Sequence, residues 1–110
     1  MRSSESDICK FLSDMRLGID KHSFIPVCRK KNITTLTTLG ITWEDAKEEI
    51  YALTPQEYIS GPDVDRDRPS SDMFWKFKKT ILGKVIYIKL KVEYLSDGSV
   101  KVVSFHLDGI

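Results

Sequence analysis

Lys84-Val85-Ile86-Tyr87-Ile88-Lys89-Leu90-Lys91-Val92-Glu93-Tyr94-Leu95-Ser96-Asp97-Gly98-Ser99-Val100-Lys101-Val102-Val103-Ser104-Phe105-His106-Leu107 reads as two β-strands and the turn between them. Both halves alternate in polarity, and Asp97-Gly98 is the dipeptide that favours a two-residue hairpin turn. Such a turn pairs residues whose numbers share one sum: Val92 with Val103, Leu90 with Phe105, Ile88 with Leu107. Every one of these pairs is apolar, so burial and turn geometry agree on the register. The second face then carries Lys89 opposite His106, Lys91 opposite Ser104, and Tyr87 diagonal to His106. Leu95, Val100 and Val102 fall on that same second face, so its end near the turn is covered by a helix, by a partner or by nothing.

Upstream, Phe74 to Lys79 alternates in the same way; with Trp75 and Phe77 in the core, Lys76 and Lys78 join the second face. The residues before it read differently. Ile8, Phe11, Leu12 and Met15 recur at helical spacing, predicting a helix from about Ser6 to Arg16 that ends near Gly18. Phe24 to Cys28 is apolar, but Pro26 restricts it to an edge strand or an extended linker. The Thr-rich segment from Asn32 to Leu39 suits either a strand or a short helix capped by Asn32 and closed by Gly40, and the helix is the preferred reading. Thr42-Trp43-Glu44-Asp45 starts a helix with Ala46, Ile50 and Leu53 on one face. Thr54-Pro55-Gln56-Glu57 restarts one, with Tyr58 and Ile59 turned inward. Ser60 to Asp72 reads as a long surface loop. Its Asp63, Asp65 and Asp67 do not make a calcium loop, because Arg68 and Phe74 stand where a Gly and a bidentate Glu are required. The fold class is therefore α+β, N-terminal helices packed on one face of a small antiparallel sheet, in one domain over residues 1–110.

The length of 110 residues suits one core, and 41% hydrophobic with 30% charged residues is the composition of a folded globular chain. No apolar run is long enough to span a bilayer, no apolar signal region follows Met1, and Cys9 and Cys28 form neither a disulfide framework nor a zinc spacing. A cytoplasmic location without membrane or metal partners is the expectation. The net charge is only +1, but its distribution is uneven. Glu44 to Asp72 is acidic, whereas the only charges from Lys76 to Lys91 are Lys76, Lys78, Lys79, Lys84, Lys89 and Lys91. That asymmetry fits a polyanion-facing sheet. It also fits lysines that only protect a strand edge from aggregation.

Taken together, Leu39-Gly40-Ile41-Thr42 leading a helix to Leu53, Glu57-Tyr58, Trp75, Val85-Ile86-Tyr87-Ile88-Lys89 and Val102-Val103-Ser104-Phe105 resemble the MqsR family of toxins from bacterial toxin-antitoxin modules. The resemblance runs from about Leu39 to His106. It implies a RelE-like fold, an mRNA interferase that cleaves RNA without a metal and arrests growth, and neutralisation by an antitoxin protein. The family's site tyrosine corresponds to Tyr87 and the neighbouring lysine to Lys89. The chain departs from the family at Ser60, where a catalytic lysine is expected, at Lys76 in place of Gln, and at His106 in place of Lys.

Metal-free RNA cleavage must deprotonate the 2′-hydroxyl, neutralise the five-coordinate phosphorane and protonate the leaving 5′-oxygen. The residues that suit these tasks are His106 as general base or acid, Lys89 and Lys76 as phosphate-binding electrophiles, and Tyr87 as orienter or proton donor. Lys78, Lys91 and Ser104 are the candidate contacts to single-stranded RNA or mRNA, and no cofactor is implied. The competing reading is a non-catalytic module that binds RNA or a protein through the same lysine-rich face.

Overall fold

The structure, a computed structural model, describes residues 2–109 of the chain. Three helices, α1 (Glu5–Lys21), α2 (Lys30–Leu39) and α3 (Trp43–Tyr51), precede most of a five-stranded sheet of β1 (Phe24–Pro26), β2 (Tyr58–Asp63), β3 (Phe74–Ile81), β4 (Lys84–Val92) and β5 (Val100–Leu107). The strand order is β1-β5-β4-β3-β2. All neighbours run antiparallel except β1, which lies parallel to β5, so the sheet is mixed rather than purely antiparallel. No helix is long and apolar enough to cross a membrane among the described residues.

Ile8, Phe11, Leu12 and Met15 of α1 are buried in one cluster with Ala46 and Ile50 of α3, Phe77 of β3, Ile86, Ile88 and Leu90 of β4, and Phe105 of β5. Ser4 caps α1 by accepting from the Asp7 N–H, and Thr42 forms a reciprocal capping box with Asp45 at the start of α3. The expected end of the first helix near Gly18 is not observed; α1 continues to Lys21. Gly18 serves a close approach instead: a Cβ there would strike the Gly98 carbonyl oxygen and lie 2.9 Å from Val100 Cγ2. Gly40, by contrast, closes α2 in the left-handed conformation with φ 70°.

The hairpin differs from its predicted register in two ways. The loop between β4 and β5 is wider than a two-residue turn, with the Glu93 and Ser99 backbones bonded and Gly98 at φ 84°. Val92 therefore pairs with Val100, and Leu90 with Val102. A bulge follows, after which Lys89 pairs with Ser104, Ile88 with Phe105 and Tyr87 with His106. Val103 is the extra residue, and a single extra residue reverses the alternation on its strand. Val100 and Val102 thus enter the core instead of sharing the lysine face, which removes the conflict left by a regular hairpin.

Two further expectations change. The first part of the supposed loop, Ser60 to Asp63, belongs to β2 (Tyr58–Asp63), paired irregularly with β3. Tyr58 turns inward, but Ile59, at the register break between Tyr58 and Ser60, is 38% exposed.

Asn32 does not cap α2; Arg29 occupies that position. The buried Asn32 amide instead acts as a short piece of strand. Its Nδ2 donates to the Val103 carbonyl at 3.0 Å and to the Val27 carbonyl at 2.8 Å, and its Oδ1 accepts from the Phe105 N–H at 2.9 Å. Thr35 Oγ1 continues the pattern by accepting from the Leu107 N–H. Helix α2 thereby seals the stretch of β5 edge that β1 is too short to pair.

Candidate functional site

The face of the sheet opposite the main core is laid out in rows across β2, β3, β4 and β5. One row pairs Lys78 with Tyr87 and Tyr87 with His106. The next runs Ser60, Lys76, Lys89, Ser104. A third, beyond the bulge, places Lys91 beside Lys101. All seven predicted site residues, His106, Tyr87, Lys89, Lys76, Lys78, Lys91 and Ser104, therefore lie on this one face.

Their individual placements differ from the regular-hairpin expectation. His106 sits across from Tyr87, not Lys89, with ring centroids 5.4 Å apart. The His106 ring is largely buried at 9% exposure, and its Nδ1 lies 3.0 Å from the Leu107 carbonyl oxygen. A carbonyl only accepts, so Nδ1 is the donor in this contact. Lys89 faces Ser104, and Lys91 faces Lys101. Ser104 and Lys91 are each only 3% exposed, so they lie beneath the surface of the face rather than on it.

The cations are unequally partnered. Lys76 meets Asp63 at 3.2 Å, Lys78 meets Asp108 at 3.1 Å and Lys91 meets Asp65 at 3.5 Å. Lys89 has no such carboxylate among the described residues, and neither have Arg29 and Lys101. The Lys89 ammonium sits 4.6 Å over the buried Phe74 ring, with that of Lys91 at 4.9 Å. Burial first, then the Lys76 and Arg29 charges, lowers the Lys89 pKa from its ordinary value, against the opposing pull of Asp65 and Asp63.

Arg29, Lys76, Lys89 and Lys101 line a cleft of about 960 Å³, walled on the far side by residues 63–68 with Arg66 and Arg68. Asp65 is aimed by its own loop, since its Oδ1 accepts from the Asp67 and Arg68 N–H groups. Desolvation pushes the Asp65 carboxyl up, but those two bonds and Lys91 outweigh it and hold its pKa low. Asp63 behaves likewise: desolvation opposes, and Lys76 and Ser60 prevail.

Sequence reasoning missed Arg29, Lys101 and Phe74. Arg29 arrives through the parallel pairing of β1, Lys101 through the bulge, and Phe74 as a buried aromatic on the lysine face just before core-facing Trp75. The apolar patch expected from Leu95, Val100 and Val102 reduces to Leu95, 74% exposed, because both valines are in the core. Leu95 borders a separate groove of about 500 Å³ with Phe11, Met73, Trp75 and Tyr94. Comparison of the chain with protein-family models, with curated proteins and with solved structures gives no match.

Proposed function

We propose that the chain is a metal-independent endoribonuclease that binds single-stranded RNA on its lysine face, acting in the cytoplasm as a toxin neutralised by an antitoxin protein, as the MqsR resemblance implies. The observation that carries the RNA-directed part is the cleft over Lys89, where Arg29, Lys76 and Lys101 converge beside Asp63, Asp65 and Asp67 and Lys89 has no ion-pair partner among the described residues. A desolvated cluster of cations is unfavourable until an anion enters it, and a phosphodiester is such an anion.

In this reading Lys89 and Lys76 hold the phosphate and stabilise its charge as a fifth oxygen bonds. His106 is diagonal to Lys89 across β4 and β5, about 7–8 Å away by strand geometry, a spacing that lets an imidazole and a long lysine side chain converge on one phosphodiester. Its Nε2 lone pair takes the 2′-hydroxyl proton, the 2′-oxygen bonds to phosphorus, the bond to the 5′-oxygen breaks, and Tyr87 supplies the proton that oxygen needs. The products are a 2′,3′-cyclic phosphate and a free 5′-hydroxyl.

The test is incubation of purified protein with single-stranded RNA in EDTA, reading end groups of the products. Cleavage with cyclic phosphate ends supports the proposal; loss on chelation with recovery on adding magnesium overturns the mechanism. One observation favours a binding module without catalysis: His106 is nearly buried and lies outside the cleft. That second reading expects salt-sensitive RNA binding with no cleavage. Controlled expression, with growth arrest relieved by a neighbouring reading frame, tests the toxin and antitoxin assignment.

A further inference from the structure

We propose that the groove bordered by Leu95 docks a protein partner, which lays a basic amphipathic helix into it, apolar side down and Lys or Arg along the edges. The inference goes beyond the proposed function by naming a surface and a partner chemistry, and it is independent of RNA binding and cleavage.

The groove is built on α1. Asp7, Lys10, Phe11 and Asp14 recur at three- and four-residue spacing, so they share one side of the helix over about 10 Å. Phe11 stacks on Trp75 of β3 with ring centroids 4.5 Å apart, and the two rings form an apolar floor. Pro62, Met73, Tyr94 and Leu95 complete the apolar lining. Leu95, Tyr94 and Met73 are 74%, 53% and 47% exposed, a patch of the kind that marks an interaction site when polar groups rim it. Their exposure does not come from loose ends. The Leu95 N–H donates to Asp72 Oδ2 at 3.0 Å, and the Tyr94 hydroxyl donates to Asp14 Oδ2 at 2.6 Å. The loop after β4 is thereby tied both to α1 and to the segment before β3, and an apolar edge already held in place needs little ordering on association.

The rim decides the chemistry of the occupant. Asp7, Asp14 and Asp72 line the groove against one cation, Lys10, which is paired with Asp14 at 2.9 Å. Asp7 and Asp72 have no ion-pair partner among the described residues. Lys or Arg beside an apolar anchor complements both the rim and the floor, whereas an acidic segment is repelled. The backbone of the occupant is constrained as well. Trp75 lies on β3, which is paired on both sides, and Pro62 has no N–H, so the lining offers no strand edge to an extended chain. A helix satisfies its own backbone and presents apolar residues at three- and four-residue spacing to such a groove. The groove and the lysine cleft share no lining residue, so each can be altered without touching the other.

The experiment selects a displayed library of random peptides of about 14 residues, four helical turns, on the full chain after depletion on Leu95→Ser. Leu95 is exposed enough for that variant to stay folded, which a thermal melt checks. The surviving peptides are expected to carry Lys or Arg together with apolar residues at helical spacing. One survivor is then synthesised and titrated by tryptophan fluorescence. Leu95→Ser is expected to weaken its binding about tenfold, through the lost apolar burial. Asp7→Asn and Asp72→Asn should each weaken it about two- to fivefold and flatten its salt dependence; Asn at 72 keeps an oxygen for the Leu95 N–H. Lys89→Met should leave it unchanged. No survivors, acidic survivors, survivors without helical spacing, or full binding by both Asn variants would overturn the inference. So would a wild-type dimer that Leu95→Ser dissolves, which gives the groove to a second copy of the chain. Absence of RNA binding or cleavage would instead refute the proposed function and leave the docking site standing.

Discussion

Asn32→Ala is expected to destabilise the protein more than any other single polar truncation described here, although Asn32 touches no other polar side chain in the site. The Asn32 amide makes three bonds to backbone groups of β5 and of the segment leading into α2. Val27 O keeps the Arg29 N–H at 3.0 Å, so truncation leaves chiefly Phe105 N and Val103 O without partners. An orphaned buried group costs about 1–3 kcal/mol and a lost bond about 0.5–1.5 kcal/mol, which places the effect near 3–5 kcal/mol. Domains of this size are stable by about 5–15 kcal/mol, so the variant stays folded but visibly weakened. Urea denaturation measures it, and fluorescence of Trp43, edge-on to Phe105 with centroids 6.1 Å apart, reports locally. Hydrogen exchange of the Phe105 amide should accelerate in parallel. Thr38→Ala, on the solvent side of the same helix, is the control and should change stability by less than about 0.5 kcal/mol. An Asn32→Ala variant within about 1 kcal/mol of wild type at unchanged m-value would refute the assignment of Asn32 as a strand surrogate.

His106→Gln preserves hydrogen bonding but not proton transfer, so RNA cleavage should fall by about a hundredfold or more with affinity nearly unchanged; near-full cleavage in a folded variant would remove His106 from the mechanism. Lys89→Met should weaken phosphate binding yet leave thermal stability equal or higher near neutrality, because burial and the Lys76 and Arg29 charges disfavour the ammonium in the folded state. The sign in pH follows from that lowered pKa: wild-type folding bears the full cost below the folded value and is relieved as pH rises toward the unfolded 10.5, so the two proteins should converge in alkali. Gly18→Ala should lose about 1–3 kcal/mol despite a better helix propensity, since the added methyl meets the Gly98 carbonyl; a stabilised variant in thermal melts would contradict that packing.

Most of the fold was legible because periodicity carries it. Ile8, Phe11, Leu12 and Met15 announce one face of α1, and the alternation from Lys84 to Val92 separates core from lysine face without error. What was not legible depends on contacts distant in sequence. Asn32 looks like a helix cap by local chemistry, and only the incomplete β1 leaves the edge groups of β5 that draw its side chain away. The Val102-Val103 pair gives no sign of which valine is extra, so a regular hairpin was the simplest reading and set His106 two residues out of place without changing its face. The acids of the loop were visible as a composition shift. Their pairing with particular lysines needed the return of the chain across the sheet.

The topology also bears on whether the lysines serve only to discourage aggregation. That explanation applies to edge strands, where unpaired backbone groups invite another chain. β4, which carries Lys89 and Lys91, is the central strand, and β3, which carries Lys76 and Lys78, is also paired on both sides. The edge groups of β5 beyond β1 are answered by Asn32 and Thr35. Charges projecting from the middle of a sheet protect no edge. They instead concentrate positive potential over one face, where Asp63, Asp65 and Asp108 pair with Lys76, Lys91 and Lys78, whereas Lys89 and Lys101 have no ion-pair partner among the described residues. Lys89, partly desolvated and beside Lys76 and Arg29, is disfavoured as an ammonium in the folded state, and an anion held in the cleft, as the proposed function requires, would offset that cost.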